Sequence, residues 1–227
     1  MNFIELLPLA LLGGVLGLDV VSFPQAMVSR PLVAATLAGV IVGQPASGLL
    51  IGAALELVAL EMLPFGASRY PEWGSAAVVG GGIFASHPSH PAGAMTIAML
   101  SALATTWVGG WTMVKLRQLN ARWAGTHRAG LEAGARGTVI SLQLMGLTAD
   151  LVRGTLLTVL AYVVLSPIAD ATIGLWTTDA RLSRSLVVAT VASVAAGAAW
   201  KLFHATSGAR WFFVGGLGVG LVMLFAK

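Results

Sequence analysis

The chain has 227 residues, 57% of them apolar, with 28 glycines, no cysteine and a net charge of +4, and its mean hydropathy is +0.86. Charged side chains make up 10% against about 25% in soluble domains, which excludes a soluble globular domain, a disordered chain and, despite a pI near 10.1, a nucleic-acid binder. The absence of cysteine removes disulfide frameworks, thiolate metal sites and cysteine nucleophiles, so what remains is an all-α polytopic integral membrane protein seated in a lipid bilayer.

A spanning helix needs about 20 apolar residues, which leaves room for roughly seven to nine membrane segments in a single membrane domain over 1–227. The run Leu6 to Val21 holds Asp19 and has no basic residues before it, so it reads as the first membrane segment and not as a removable signal. Arg30-Pro31 then interrupts the apolar chain, because proline disfavours helical geometry at the residue before it. The next run, Leu32 to Gly43, is 12 residues, about 18 Å as a helix, too short to cross. Gln44-Pro45 breaks it, Ser47 to Leu63 rises again at near-spanning length, and Pro64 and Gly66 end that piece. Gly74 to Ala85 is short as well and stops at His87-Pro88-Ser89-His90-Pro91. Short hydrophobic segments interrupted by Gly and Pro point to a transporter binding site built from broken or re-entrant helices.

Within this region Gly39, Gly43, Gly48 and Gly52 have the spacing that lets two helix backbones approach closely. Gly48, Gly52 and Glu56 form one stripe at four-residue intervals, which carries the carboxylate onto the packed face. A charge near mid-helix in a bilayer costs about 3 kcal/mol, so Glu56 is a candidate for contact with substrate. The competing reading is a structural pair with Arg30 or Arg69. Asp19, Glu56 and Arg30 are expected to converge, and Gln25, Glu61 and Arg69 complete the candidate substrate-binding set.

From Trp73 to Val114 the chain has no Asp, Glu, Lys or Arg, and residues 91–114 read as a clean span, with Trp107 and Trp111 where an interfacial aromatic belt falls. Residues 115–136 then carry five basic residues against Glu132 alone, the whole of the net charge. That bias reads as a cytoplasmic loop, and Lys115, Arg117, Arg122, His127 and Arg128 as a docking surface for an acidic or phosphorylated partner. Residues 138–165 cross back, with a break expected near Asp150 to Gly154. Residues 166–184 read as an outer loop containing Pro167, Asp170 and Asp179, and 185–203 and 211–226 are two further apolar stretches.

The pair His87 and His90 falls short of the three or four ligands zinc requires, so it reads as lining a polar cavity or an outer mouth, with no metal and no cofactor expected. Gly80-Gly81-Gly82 reads as a hinge or a close-packing spot. No constellation for covalent catalysis is present.

The run Arg30-Pro31-Leu32-Val33-Ala34, then Thr36-Leu37-Ala38-Gly39, Gly43, Gly48, Gly52 and Leu55-Glu56-Leu57, resembles the IIC permease subunit of the mannose/fructose/sorbose branch of the bacterial sugar phosphotransferase system. The likeness continues through the 91–114 span, the basic stretch with His127, and Gln143 to Arg153. It implies a multi-pass inner-membrane protein that pairs with a IID membrane subunit. It also implies cytoplasmic IIA and IIB phosphocarriers, with IIB phosphorylating the incoming hexose. Glu56 matches the family's motif glutamate and Arg30-Pro31 its Arg-Pro turn. Members of the mannose type carry acids shortly before that turn, whereas Phe23 to Ser29 has none here. The expected function is therefore translocation of a hexose in a hetero-oligomer. Three alternatives stay open: a non-transporting regulatory or scaffold subunit, a membrane enzyme using His87 and His90 with a metal, and an ungated facilitator of small solutes.

Overall fold

The computed structural model describes residues 3–60, 70–175, 178–203 and 207–225. Among them the chain forms nine helices and no strand: α1 (Phe3–Asp19), α2 (Pro31–Val42), α3 (Pro45–Ala59), α4 (Trp73–Ala85), α5 (Pro91–Thr126), α6 (Arg128–Glu132), α7 (Arg136–Ile173), α8 (Ala180–Phe203) and α9 (Ala209–Phe225). Proline sets three of the starts, standing at the head of α2, α3 and α5, where its missing N–H and fixed φ suit the first turn. Gly43 ends α2 with φ 81°, a left-handed conformation that glycine adopts without penalty.

That turn folds α3 back on α2. A Cβ on Gly39 would lie 2.8 Å from the Gly48 Cα, and one on Gly52 would lie 3.0 Å from the Pro31 carbonyl oxygen. Gly39, Gly48 and Gly52 thus let the two backbones touch. Gly43, expected on the same stripe, faces open space and serves the turn instead. Against this hairpin packs α4, whose 13 residues are all buried. Its glycine triplet is a packing device: a Cβ on Gly81 would lie 2.7 Å from the Ala35 Cα, and one on Gly80 would lie 3.0 Å from the Ala102 Cβ. The core runs around α4 through Leu9, Ala35, Ile51, Leu55, Ala98 and Tyr162.

Among the described residues three helices are long and apolar enough to cross a membrane: α5, α7 and, over Ala180–Lys201, α8. The other apolar helices are shorter, and α2, α3 and α4 at 12, 15 and 13 residues reach only about 18–23 Å. By contrast α5 and α7 have 36 and 38 residues, more than 50 Å each, against a hydrocarbon core of about 30 Å.

The long helices correct three expectations. Residues 115–126, expected in a loop, continue α5, and 128–132 form α6, so the basic stretch is mostly a helical hairpin closed by α7 from Arg136. Lys, Arg, Leu, Gln and Ala are strong helix formers, and charge does not stop them. No break occurs near Asp150 to Gly154, where Arg153 neutralises Asp150 from one turn away. The expected outer loop 166–184 shrinks to the few residues between α7 and α8, because Pro167 is accommodated inside α7. Proline removes one hydrogen bond, and membrane helices tolerate that loss.

Candidate functional site

Where α1 ends and α2 and α4 begin, a cavity of about 460 Å³ opens, lined by Asp19, Gln25, Ser29, Arg30, Tyr70 and Trp73 among others. The connection from α1 to α2 forms one wall. Asp19, 2% exposed, holds it by accepting hydrogen bonds from the backbone N–H groups of Ala26 (2.6 Å) and Ser29 (2.8 Å). Gln25 and Met27 there have φ of 59° and 62°, a left-handed geometry uncommon in residues with a side chain. Gln25 also donates through Nε2 to the Val21 carbonyl at 2.7 Å. Asp19 is thus a brace for the wall as well as a lining group.

Arg30 caps the start of α2 and forms an ion pair with Glu56 of α3. The second Glu56 oxygen accepts from the Leu32 N–H at 3.2 Å. Glu56 stands one turn from the end of α3 at Ala59, not near the middle of its helix as expected, and residues 61–63 of the expected helix lie outside the described residues. The structural pairing weighed against it is therefore present, and Arg30, which makes the pair, is also one of the residues lining the cavity. Asp19, Gln25 and Arg30 come together around one space, with Glu56 joined through Arg30. Glu61 and Arg69 lie outside the described residues.

Behind this wall sits a buried polar network that sequence reasoning missed. Asp150 and Arg153 of α7 pair at 2.8 Å with both side chains under a tenth exposed, and Ser22 donates to the other Asp150 oxygen. Arg153 reaches Thr112 of α5 at 3.4 Å. Glu72, fully buried, caps α4 by accepting from the Ser75 N–H at 3.0 Å, and Ser75 donates to the Gly13 carbonyl at 3.0 Å. Glu72 Oε2, Trp73 Nε1 and Arg153 Nη2 are buried without a partner among the described residues. An Asp and an Arg three apart inside an apolar run were the available signal. Glu72 had a weaker one, an acid just ahead of a small-residue helix.

The basic residues fall on the α5–α7 hairpin, which projects at this same end. Arg117 lies over the Tyr70 ring at 4.8 Å, Lys115 over Trp111 at 5.6 Å, and Arg128 pairs with Glu132 at 2.6 Å. His127 caps α5, its Nδ1 2.8 Å from the Trp123 carbonyl oxygen, and Arg122 is exposed. At the opposite end His87 pairs with Asp170 at 2.9 Å. Among the described residues no three His, Asp or Glu side chains group as metal ligands.

The family model for the sorbose-specific IIC component of the phosphotransferase system matches residues 3–216. The chain belongs to this family. Solved structures share this fold. One, titled as a structure of a membrane protein, has TM-score 0.69 and 17% identity, covering 100% of this chain and 92% of the other. The second, the cryo-EM structure of the mannose transporter ManYZ in complex with microcin E492, has TM-score 0.61 and 16% identity over 97% and 87% of the two chains. No curated protein matches. As a IIC component the chain is an all-α membrane subunit of a sugar permease, and the cavity at Arg30 is its candidate substrate site. Its lining carries donors at Arg30 and Gln25, an acceptor at Asp19 and the aromatic residues Tyr70 and Trp73.

Proposed function

We propose that this IIC subunit binds a hexose in the cavity lined by Asp19, Gln25, Ser29, Arg30, Tyr70 and Trp73, and presents it to a cytoplasmic IIB phosphoryl donor docked on the basic hairpin at 115–136. The reading places the chain in the bacterial inner membrane as one multi-pass domain, assembled with a IID membrane subunit and served by IIA and IIB. Phosphoryl transfer takes place on those partners, and the phosphorylated sugar, now charged, is trapped inside.

One observation carries this reading: a polar cavity opens at the end from which the basic hairpin projects, and Arg117 of that hairpin stacks on Tyr70 of the cavity. Its volume, about 460 Å³, falls in the usual range for small-molecule sites, about 300–1,000 Å³. Charge-assisted hydrogen bonds from Arg30 and to Asp19 are about twice as strong as neutral ones, which suits a ligand rich in hydroxyls. Glu56 acts through Arg30, fixing the guanidinium that faces the sugar.

The test is binding of labelled mannose and sorbose to the purified IIC–IID complex bearing Glu56→Gln. A loss of at least about tenfold in affinity is expected, the worth of one charge-assisted bond. Unchanged affinity removes the Arg30–Glu56 pair from the site. Uptake of the same sugars by cells with and without the chain separates a transporter from a scaffold, since a scaffold leaves uptake intact when it is deleted.

A further inference from the structure

A second polar cavity lies at the far end of α4. Trp73 at the start of α4 lines the first cavity. Ile83 and Ala85 at its end line a space of about 460 Å³ together with Gln44, Ser86, His87, Tyr162, Ser166 and Asp170. The intervening helix is buried along its whole length and about 20 Å long. With Gly81 seated against the Ala35 backbone, the two spaces are separated by packed protein. Three elements meet at the second one: the tip of the α2–α3 hairpin, the turn after α4, and the end of α7.

Its polar groups are held but not saturated. His87 Nδ1 stands 2.8 Å from the Ile83 carbonyl oxygen and its Nε2 2.9 Å from Asp170 Oδ1. This contact aims the Asp170 carboxylate and leaves Oδ2 without a partner among the described residues. The hydroxyls of Thr36, Ser86, Thr96, Thr105 and Thr158 all donate back to the carbonyl four residues earlier. Ser166, also within a helix, makes no such bond, and the exposed Gln44 amide has no partner among the described residues.

The charges select the ligand. Asp170 repels an anion, and with one of its oxygens taken by the His87 ring it offers a cation a single carboxylate oxygen, too few for a metal site. A carboxylate oxygen, an amide and a hydroxyl left open around a tyrosine ring suit a neutral polyhydroxylated molecule. We infer that this cavity is an outward-facing entry subsite for a hexose, with Asp170, Gln44 and Ser166 as its binding groups and His87 as the residue that positions Asp170. The inference rests on the reading of the chain as a hexose carrier whose inner site is the cavity at Arg30.

Two preparations of the full complex test it: uptake of labelled mannose and sorbose by intact cells, and phosphorylation of the same sugars added to inside-out vesicles supplied with the soluble phosphocarriers. For Asp170→Asn and for Gln44→Ala, the latter at an exposed position that leaves packing untouched, the ratio of uptake KM to vesicle KM is expected to rise about tenfold. An unchanged ratio overturns the subsite, whether both KM values stay put or rise together. Glu56→Gln run alongside separates the two readings. If it leaves both KM values unaltered while Asp170→Asn still raises the ratio, the inner-site assignment falls and the outer subsite stands.

Discussion

Among the arginine–carboxylate pairs of the described residues, Arg153–Asp150 and Arg30–Glu56 have surroundings that give them different consequences. Arg153 and Asp150 are almost wholly enclosed, so removing one leaves the other as a lone charge in a medium that cannot solvate it. Arg153→Met is expected to destabilise the fold by about 3–5 kcal/mol, read as a drop in the thermal midpoint of the detergent-solubilised protein. Replacing Asp150 by Asn in the same background should recover part of that loss. Arg30 and Glu56 are more open, with side chains 39% and 18% exposed. Glu56→Gln should therefore cost under about 1 kcal/mol in stability, and its effect falls on sugar affinity. The cost of a carboxylate at membrane depth was enough to single out Glu56 from sequence, and Arg30, in the Arg-Pro turn that precedes it, was one of the two partners weighed for it. Glu72 was not legible in the same way. Its burial depends on α5 lying over it, with Gly109 small enough to admit the Glu72 side chain, and no local pattern announces a neighbour 37 positions along the chain.

Element by element, punctuation decided what could be read. Proline at 31, 45 and 91 and glycine at 43 are backbone facts before they are packing facts, and the helix boundaries they set were legible to within a residue or two. The ends of α5 and α7 were not, because charge suggested solvent and solvent suggested a loop, whereas a solvated helix accommodates the same residues. The glycines of the hairpin also divide by what surrounds them. Gly43→Ala meets open space and carries only the left-handed strain, about 1 kcal/mol. Gly39→Leu drives a side chain into the backbone of Gly48 and the Gln44 carbonyl, 2.7 Å from where its Cβ would sit. That substitution is expected to separate α2 from α3 and abolish sugar binding. Thermal melting of the two variants side by side checks the contrast, and a Gly39→Leu protein as stable as Gly43→Ala would contradict the backbone contact.

For the molecule as a whole, the apolar faces of α8 and α9 turn outward, with Trp200, Trp211, Phe212 and Val219 all more than half exposed. Lipid or a companion subunit covers such surfaces in a membrane assembly. The basic hairpin is a strongly charged surface, and in the proposed reading it bears on association rather than on the sugar. Arg122→Gln with Arg128→Gln should slow phosphoryl transfer from the soluble partner and flatten its dependence on salt, while equilibrium sugar binding stays as it was. Rates measured across ionic strength distinguish this from a folding defect, which would alter both.

The spacing of the two ion pairs along the chain also bears on assembly. Asp150 and Arg153 are three residues apart on one helix, whereas Arg30 and Glu56 are 26 apart across a turn. Each bare charge entering hydrocarbon costs about 2.5–3.5 kcal/mol at the translocon. α7 brings its counter-ion with it and can partition as a solitary, self-neutralised rod. α3 has none until α2 lies beside it, so those two must leave the translocon together as a finished pair.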